Sequence, residues 1–164
     1  MLKNPTTKSF ILTLVLLLVS VVLIYKPPVD PDLGWHIKWG EYILKEKTFP
    51  VGTIFSYNLE NSGVVDFYWI SEIFIYLVIN YLGSFLLSII FSFIGAVAIL
   101  TSIQGVKASF HGKLATTILV SVLLGSFLNG VRPVGISTLF FALVYYILRK
   151  QWEEKNPNLL FFLP

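Results

Sequence analysis

The chain has 164 residues, of which 55% are hydrophobic and 13% charged, and its mean hydropathy is +0.78. A soluble domain of this size exposes too much surface for so few polar groups to cover, which excludes the water-soluble enzyme and binding-module classes. There is no cysteine, so disulfide and thiol chemistry are excluded; the net charge of +3 comes from basic residues flanking apolar runs, the pattern of membrane anchoring and not of a nucleic-acid partner.

Residues 9–25 form an uncharged run between Lys8 and Lys26. At about 1.5 Å per residue a helix of this length nearly crosses a hydrocarbon core of about 30 Å. It exceeds the apolar stretch of about 7–15 residues of a signal peptide. Val22-Leu23-Ile24-Tyr25-Lys26 also offers no small-residue cleavage site, so an uncleaved first spanning helix is expected.

Residues 26–68 form a polar loop holding most of the acids: Asp30, Asp32, Glu41, Glu46, Glu60 and Asp66. Pro27, Pro28 and Pro31 stop the first helix and keep the chain extended. The spacing then predicts an amphipathic helix over 33–46. Leu33, Ile37, Gly40 and Leu44 share one face, Lys38, Glu41 and Lys45 another, and Glu41–Lys45 is a favourable pair four residues apart. Trp35, Trp39 and Tyr42 flank the charged stripe, as aromatic rings do at a membrane surface. Phe49-Pro50-Val51-Gly52 reads as a turn, and Asn61-Ser62-Gly63 as a hairpin tip between residues 54–58 and 64–68.

Residues 69–82 are apolar but short, carry Glu72 near their start, and are parted from the next apolar run by Gly83 alone. Two spanning helices cannot reverse over one residue, so this segment reads as an interfacial or re-entrant helix. Spanning helices are expected at 84–104, 114–130 and 134–148. Lys3, Lys8, Lys107, Lys113, Arg149, Lys150 and Lys155 then fall on one side, the cytoplasmic one, with the acidic loop and Arg132 outside. The expected fold is an all-α polytopic transmembrane helix bundle in the plasma membrane. Its N-terminus is cytoplasmic and its external first loop contains an amphipathic helix. Residues 158–164 begin another apolar run, which reads as the start of a further helix and makes 1–164 the N-terminal part of a single transmembrane domain.

Asp30-Pro31-Asp32 sets two carboxylates one residue apart beside the membrane, where they could ligate a hard divalent cation or act as base toward a hydroxyl. The alternative is that Asp32 caps the helix it precedes. His36 falls one helical turn after Asp32 and could meet it on one face, or could be a polar side chain at the waterline. His111 sits among cytoplasmic lysines with no expected site role. Arg132 has a planar fork suited to phosphate, with snorkelling to lipid headgroups as the alternative. Glu72 either acts at membrane depth or stays in the interface. Gly95 lacks a glycine partner four residues away and is weak evidence for helix packing. No Walker, Rossmann, nucleophile-elbow or HExxH pattern occurs.

From Asp30 to Leu44 the chain reads Asp-Pro-Asp-Leu-Gly-Trp-His-Ile-Lys-Trp-Gly-Glu-Tyr-Ile-Leu, followed by Phe49-Pro50, Phe55-Ser56-Tyr57, Trp69-Ile70-Ser71-Glu72 and Arg132-Pro133. This pattern resembles bacterial and archaeal multi-spanning proteins related to the C-type (GT-C) glycosyltransferases. It is distantly similar to the first-loop acidic motif of oligosaccharyltransferase catalytic subunits. The resemblance implies transfer of a sugar from a polyprenyl-phosphate-linked donor to an extracytoplasmic acceptor. It implies Asp32 as the essential acid with Asp30 as the alternative, and Arg132, His36 and Glu72 on the substrate. Partners would be membrane lipid and the lipid-linked donor; the cofactor, if one is used, would be Mg or Mn held by Asp30 and Asp32. Thr53 and Phe67-Tyr68 stand where the pattern carries an acid and His-Glu, so a secondary ligand set is missing. Rival readings are a non-catalytic membrane scaffold and a lipid or solute transporter subunit; the absence of charge within the four spanning runs counts against transport.

Overall fold

A computed structural model describes residues 5–49, 67–104, 107–127, 131–155 and 160–161, and among these the chain is all-α. Five α-helices follow in order: α1 (Pro5–Ile24), α2 (Leu33–Glu46), α3 (Trp69–Ile103), α4 (Phe110–Phe127) and α5 (Pro133–Glu154). Two of them, α3 and α5, are long and apolar enough to cross a membrane, while Ser9–Ile24 and Phe110–Gly125 are shorter apolar helices. The turn and hairpin expected over residues 49–68 lie mostly outside the described residues. So does most of the run at 158–164.

The central element is α3, which packs against each of the other four helices. It is broken at Gly83, whose φ of 82° and ψ of 169° are non-helical. This backbone region is open to glycine and essentially closed to other residues. The break divides α3 into a first part, 69–82, and a second part, 84–103.

One core lies where α2, α3 and α5 meet: Leu33, Ile75, Val78, Leu87, Phe91 and Val131 are buried together. Gly135 lets α5 approach the Phe91 ring, 3.4 Å from where a Cβ would stand. A second core joins α1, α3 and α4 through Ile24, Ala96 and Ile99, with Leu17 and Val120 packed alongside. There the fully buried hydroxyls of Ser20 and Ser121 bond each other at 3.2 Å. Other hydroxyls in the apolar helices donate to their own backbone one turn back, as Thr117 does to Lys113 O and Thr138 to Val134 O, both at 2.8 Å.

The helices alternate in direction between two ends. Gly125 near the close of α4 lies beside Leu23 and Ile24 at the close of α1. At the other end, the start of α1, the end of α3, the start of α4 and the end of α5 line one cleft. Lys113, Arg149 and Lys150 lie at that second end, with Glu153 and Glu154, and Asp30, Asp32 and Glu72 lie at the first.

The face that α2 buries differs from the expected one. Leu33, Trp39, Gly40 and Ile43 are buried, while Leu44 is exposed. The expected flanking ring, Trp39, is 2% exposed and belongs to the interior; Trp35 remains at the surface. The cause is Gly40, which sits directly against the Glu72 backbone and pulls the helix down on that side.

Candidate functional site

The site forms at the acidic end, where the segment after α1 crosses the start of α5. Pro133 occupies the first position of α5, where its missing N–H costs nothing. It also forces the preceding residue into extended geometry, and Arg132 has φ −125° and ψ 144°. The Arg132 side chain reaches back to the loop.

There the Asp30 carboxylate receives it in a two-pronged grip. Nε donates to Oδ2, and Nη2 donates to Oδ1 at 3.2 Å. Planar matching of this kind combines charge with fixed direction. The Asp30 side chain is only 2% exposed, whereas Arg132 is 44% exposed. Burial pushes the Asp30 carboxyl up, but the hydrogen bonds from Arg132 and from the Asp32 N–H, with the charges of Arg132 and His36, outweigh it and hold the group below its ordinary 3.8. Arg132 is shifted upward by its hydrogen bond to Asp30 and by the same carboxylate's charge.

Asp32 stands at the rim. Its Oδ2 is 3.7 Å from Arg132 Nη2, and its side chain is 64% exposed. It occupies the N-cap position of α2 but makes no side-chain capping hydrogen bond. The expected capping role is not the one its carboxylate plays. Asp30 acts instead, accepting the Asp32 N–H at 2.9 Å on Oδ1 and the Leu33 N–H at 3.1 Å on its carbonyl.

His36 does not turn to the Asp32 side chain either; only its backbone N–H meets the Asp32 carbonyl, at 3.1 Å. The imidazole Nδ1 lies 2.8 Å from Glu72 Oε1, with side chains 14% and 3% exposed. Glu72 lies in the first turn of α3, a favourable place for a carboxylate beside the helix dipole. Gly40 makes the approach of the two helices close enough for this pair to form.

No family model, curated protein or solved structure matches the chain.

The five candidate side chains thus form two pairs and a rim carboxylate: Asp30 with Arg132, His36 with Glu72, and Asp32 beside the guanidinium. As placed, Asp30 and Asp32 do not suit a divalent cation. A guanidinium stands where the cation would, and both Asp30 oxygens are engaged. Among the described residues no group of three or more His, Asp or Glu side chains could hold a metal ion. Elsewhere on α2, Glu41 takes Lys38 at 2.8 Å and Lys45 at 2.6 Å. Those hydrogen bonds bring its pKa down to about 2. His111 packs its ring on Phe110 at the opposite end of the bundle.

Proposed function

We propose that this chain lies in a membrane and that its acidic end transfers a sugar from a polyprenyl-phosphate-linked donor to an extracytoplasmic acceptor. Placement in lipid is supported by the outward faces of the apolar helices. Leu14, Leu18 and Val22 on α1, Leu119 and Leu123 on α4, and Phe140 and Phe141 on α5 are all exposed. A contiguous apolar surface of this kind has no stable place in water.

The observation that carries the chemistry is the exposed Asp32 carboxylate set 3.7 Å from a guanidinium whose orientation Asp30 fixes. The acceptor hydroxyl attacks the anomeric carbon, and the bond from that carbon to the donor phosphate breaks. The hydroxyl proton passes to Asp32, and the phosphate leaves with its growing charge facing Arg132. Asp30 is a positioning residue, since its carboxylate is enclosed and committed to Arg132. His36 and Glu72 fix α2 on α3 and so set where Asp32 stands. Transport would call for an acid deep in a spanning helix. Among the described residues of α3 the one acid, Glu72, lies in the first turn and is paired with His36.

The test is Asp32→Asn. The side chain makes no cap to lose, so folding is expected to persist, while loss of the base reduces transfer by roughly 10²–10⁴-fold. Transfer is read as loss of sugar from a polyprenyl-linked donor in membranes. Near-normal transfer by this variant removes Asp32 as the acid.

A further inference from the structure

At the end of the bundle remote from this site, α1, α3, α4 and α5 enclose a cleft of about 440 Å³. That lies within the range of roughly 300–1,000 Å³ typical of ligand pockets. Its floor is apolar: Leu12 lines it, and Leu16 and Leu100 beneath are buried. Its mouth is charged. Lys113 comes from the first turn of α4, and Arg149, Lys150, Glu153 and Glu154 from the last turns of α5.

The two acids stand beside the cations of their own helix, Glu153 3.8 Å from Arg149 Nε and Glu154 3.8 Å from Lys150 Nζ. Neither contact is a hydrogen bond, and Arg149 Nε is buried without a hydrogen-bond partner among the described residues. Lys113 has no ion pair among the described residues. Three cations against two carboxylates leave one positive charge in the mouth, above an apolar floor.

We propose that this cleft binds the phosphodiester headgroup of an anionic phospholipid, with the lipid's acyl chain against the floor. A phosphodiester carries one negative charge and offers oxygens to Lys113 on α4 and to the guanidinium of Arg149 on α5, both of which line the cleft. The tail covers Leu12, whose half-buried side chain a free phosphate would leave bare. The inference rests on the membrane placement above and not on the sugar-transfer reading.

The test uses the chain reconstituted in vesicles and then purified in detergent. Alkaline carbonate applied to phosphatidylcholine vesicles comes first, and a chain that washes out overturns both the placement and this site. A chain that stays is titrated with dioleoylphosphatidylglycerol, dioleoylphosphatidylcholine and glycerol phosphate, reading thermal stabilisation. Phosphatidylglycerol is expected to bind tighter than phosphatidylcholine by roughly fivefold per engaged cation, with glycerol phosphate inert. Lys113→Gln with Arg149→Gln should abolish that preference, and Lys113→Glu alone should reduce it if the double variant does not fold. Asp32→Asn should leave it intact. Equal binding of the two lipids, a preference that survives the substitutions, or an equal effect of glycerol phosphate overturns the proposal.

Discussion

Replacing Gly40 with alanine tests whether the α2–α3 contact holds the site together. A Cβ at Gly40 would stand 2.3 Å from the Glu72 carbonyl oxygen, 2.7 Å from its carbon and 2.8 Å from Tyr76 Cβ. Two of these are backbone atoms and cannot swing aside. Ordinary contact begins near 3.4 Å, so α2 has to withdraw by about 1.1 Å. That withdrawal stretches the 2.8 Å His36–Glu72 contact to about 3.9 Å, past hydrogen-bonding range. Overpacking of this kind costs about 1–3 kcal/mol and loss of a hydrogen bond to a charged group about 1.5–3 kcal/mol, set against a gain of about 1 kcal/mol in helix propensity. The net expectation is a destabilisation of about 1.5–5 kcal/mol by the same reckoning. Gly34→Ala is the control, because it lies on the same helix with nothing within 4 Å of the new methyl, and it should stabilise slightly. Thermal unfolding of both variants in one detergent is the assay. A Gly40→Ala protein that melts with the wild type would refute the close approach and the account of how Asp32 is placed.

Two further substitutions probe other parts of the argument. Gly83→Ala meets no neighbour within 4 Å, so its cost is purely conformational, about 1–3 kcal/mol for a φ of 82°; unchanged thermal stability would show that the break is not required. Asp30 has a lowered pKa, so its contribution to stability is present above the ordinary 3.8 and is lost as pH falls through the lowered folded value. Asp30→Asn should therefore be less stable than wild type at neutral pH, with the gap closing below about pH 3.8. A gap that is constant down to pH 2 would refute the clasp as its source.

Helices α1, α3, α4 and α5 were legible as apolar runs, α2 by its amphipathic spacing, and the break in α3 because no residue but Gly83 parts the two runs. The candidate side chains were legible as types: Asp30, Asp32, His36, Glu72 and Arg132 are polar groups set beside apolar helices. Their partners were not. Asp30 meets Arg132 across 102 positions and His36 meets Glu72 across 36, and no local spacing encodes such approaches. His36 and Asp32 lie a turn apart, which invited a pairing that the tertiary approach of Glu72 displaces. The buried face of α2 was misjudged for a related reason. Helical periodicity ranks residues by hydrophobicity, whereas a glycine decides where a neighbouring backbone can come closest, and Gly40 draws Trp39 inside with it.

The long reach between Asp30 and Arg132 bears on how the protein is made. A ribosome adding about 5–20 residues per second needs roughly 5–20 s to travel from one to the other. During that interval the aspartate and the first turn of α2 have emerged, but the arginine that closes them has not been synthesised. The loop must wait in water with its proline-stiffened entry and its paired tryptophans, Trp35 and Trp39, whose rings are 6.0 Å apart. The Asp30–Arg132 clasp therefore closes late in translation, when the start of α5 is delivered. A nascent chain halted before Arg132 would hold every acid of the site and the residues of the His36–Glu72 pair, but not the guanidinium that Asp30 and Asp32 face.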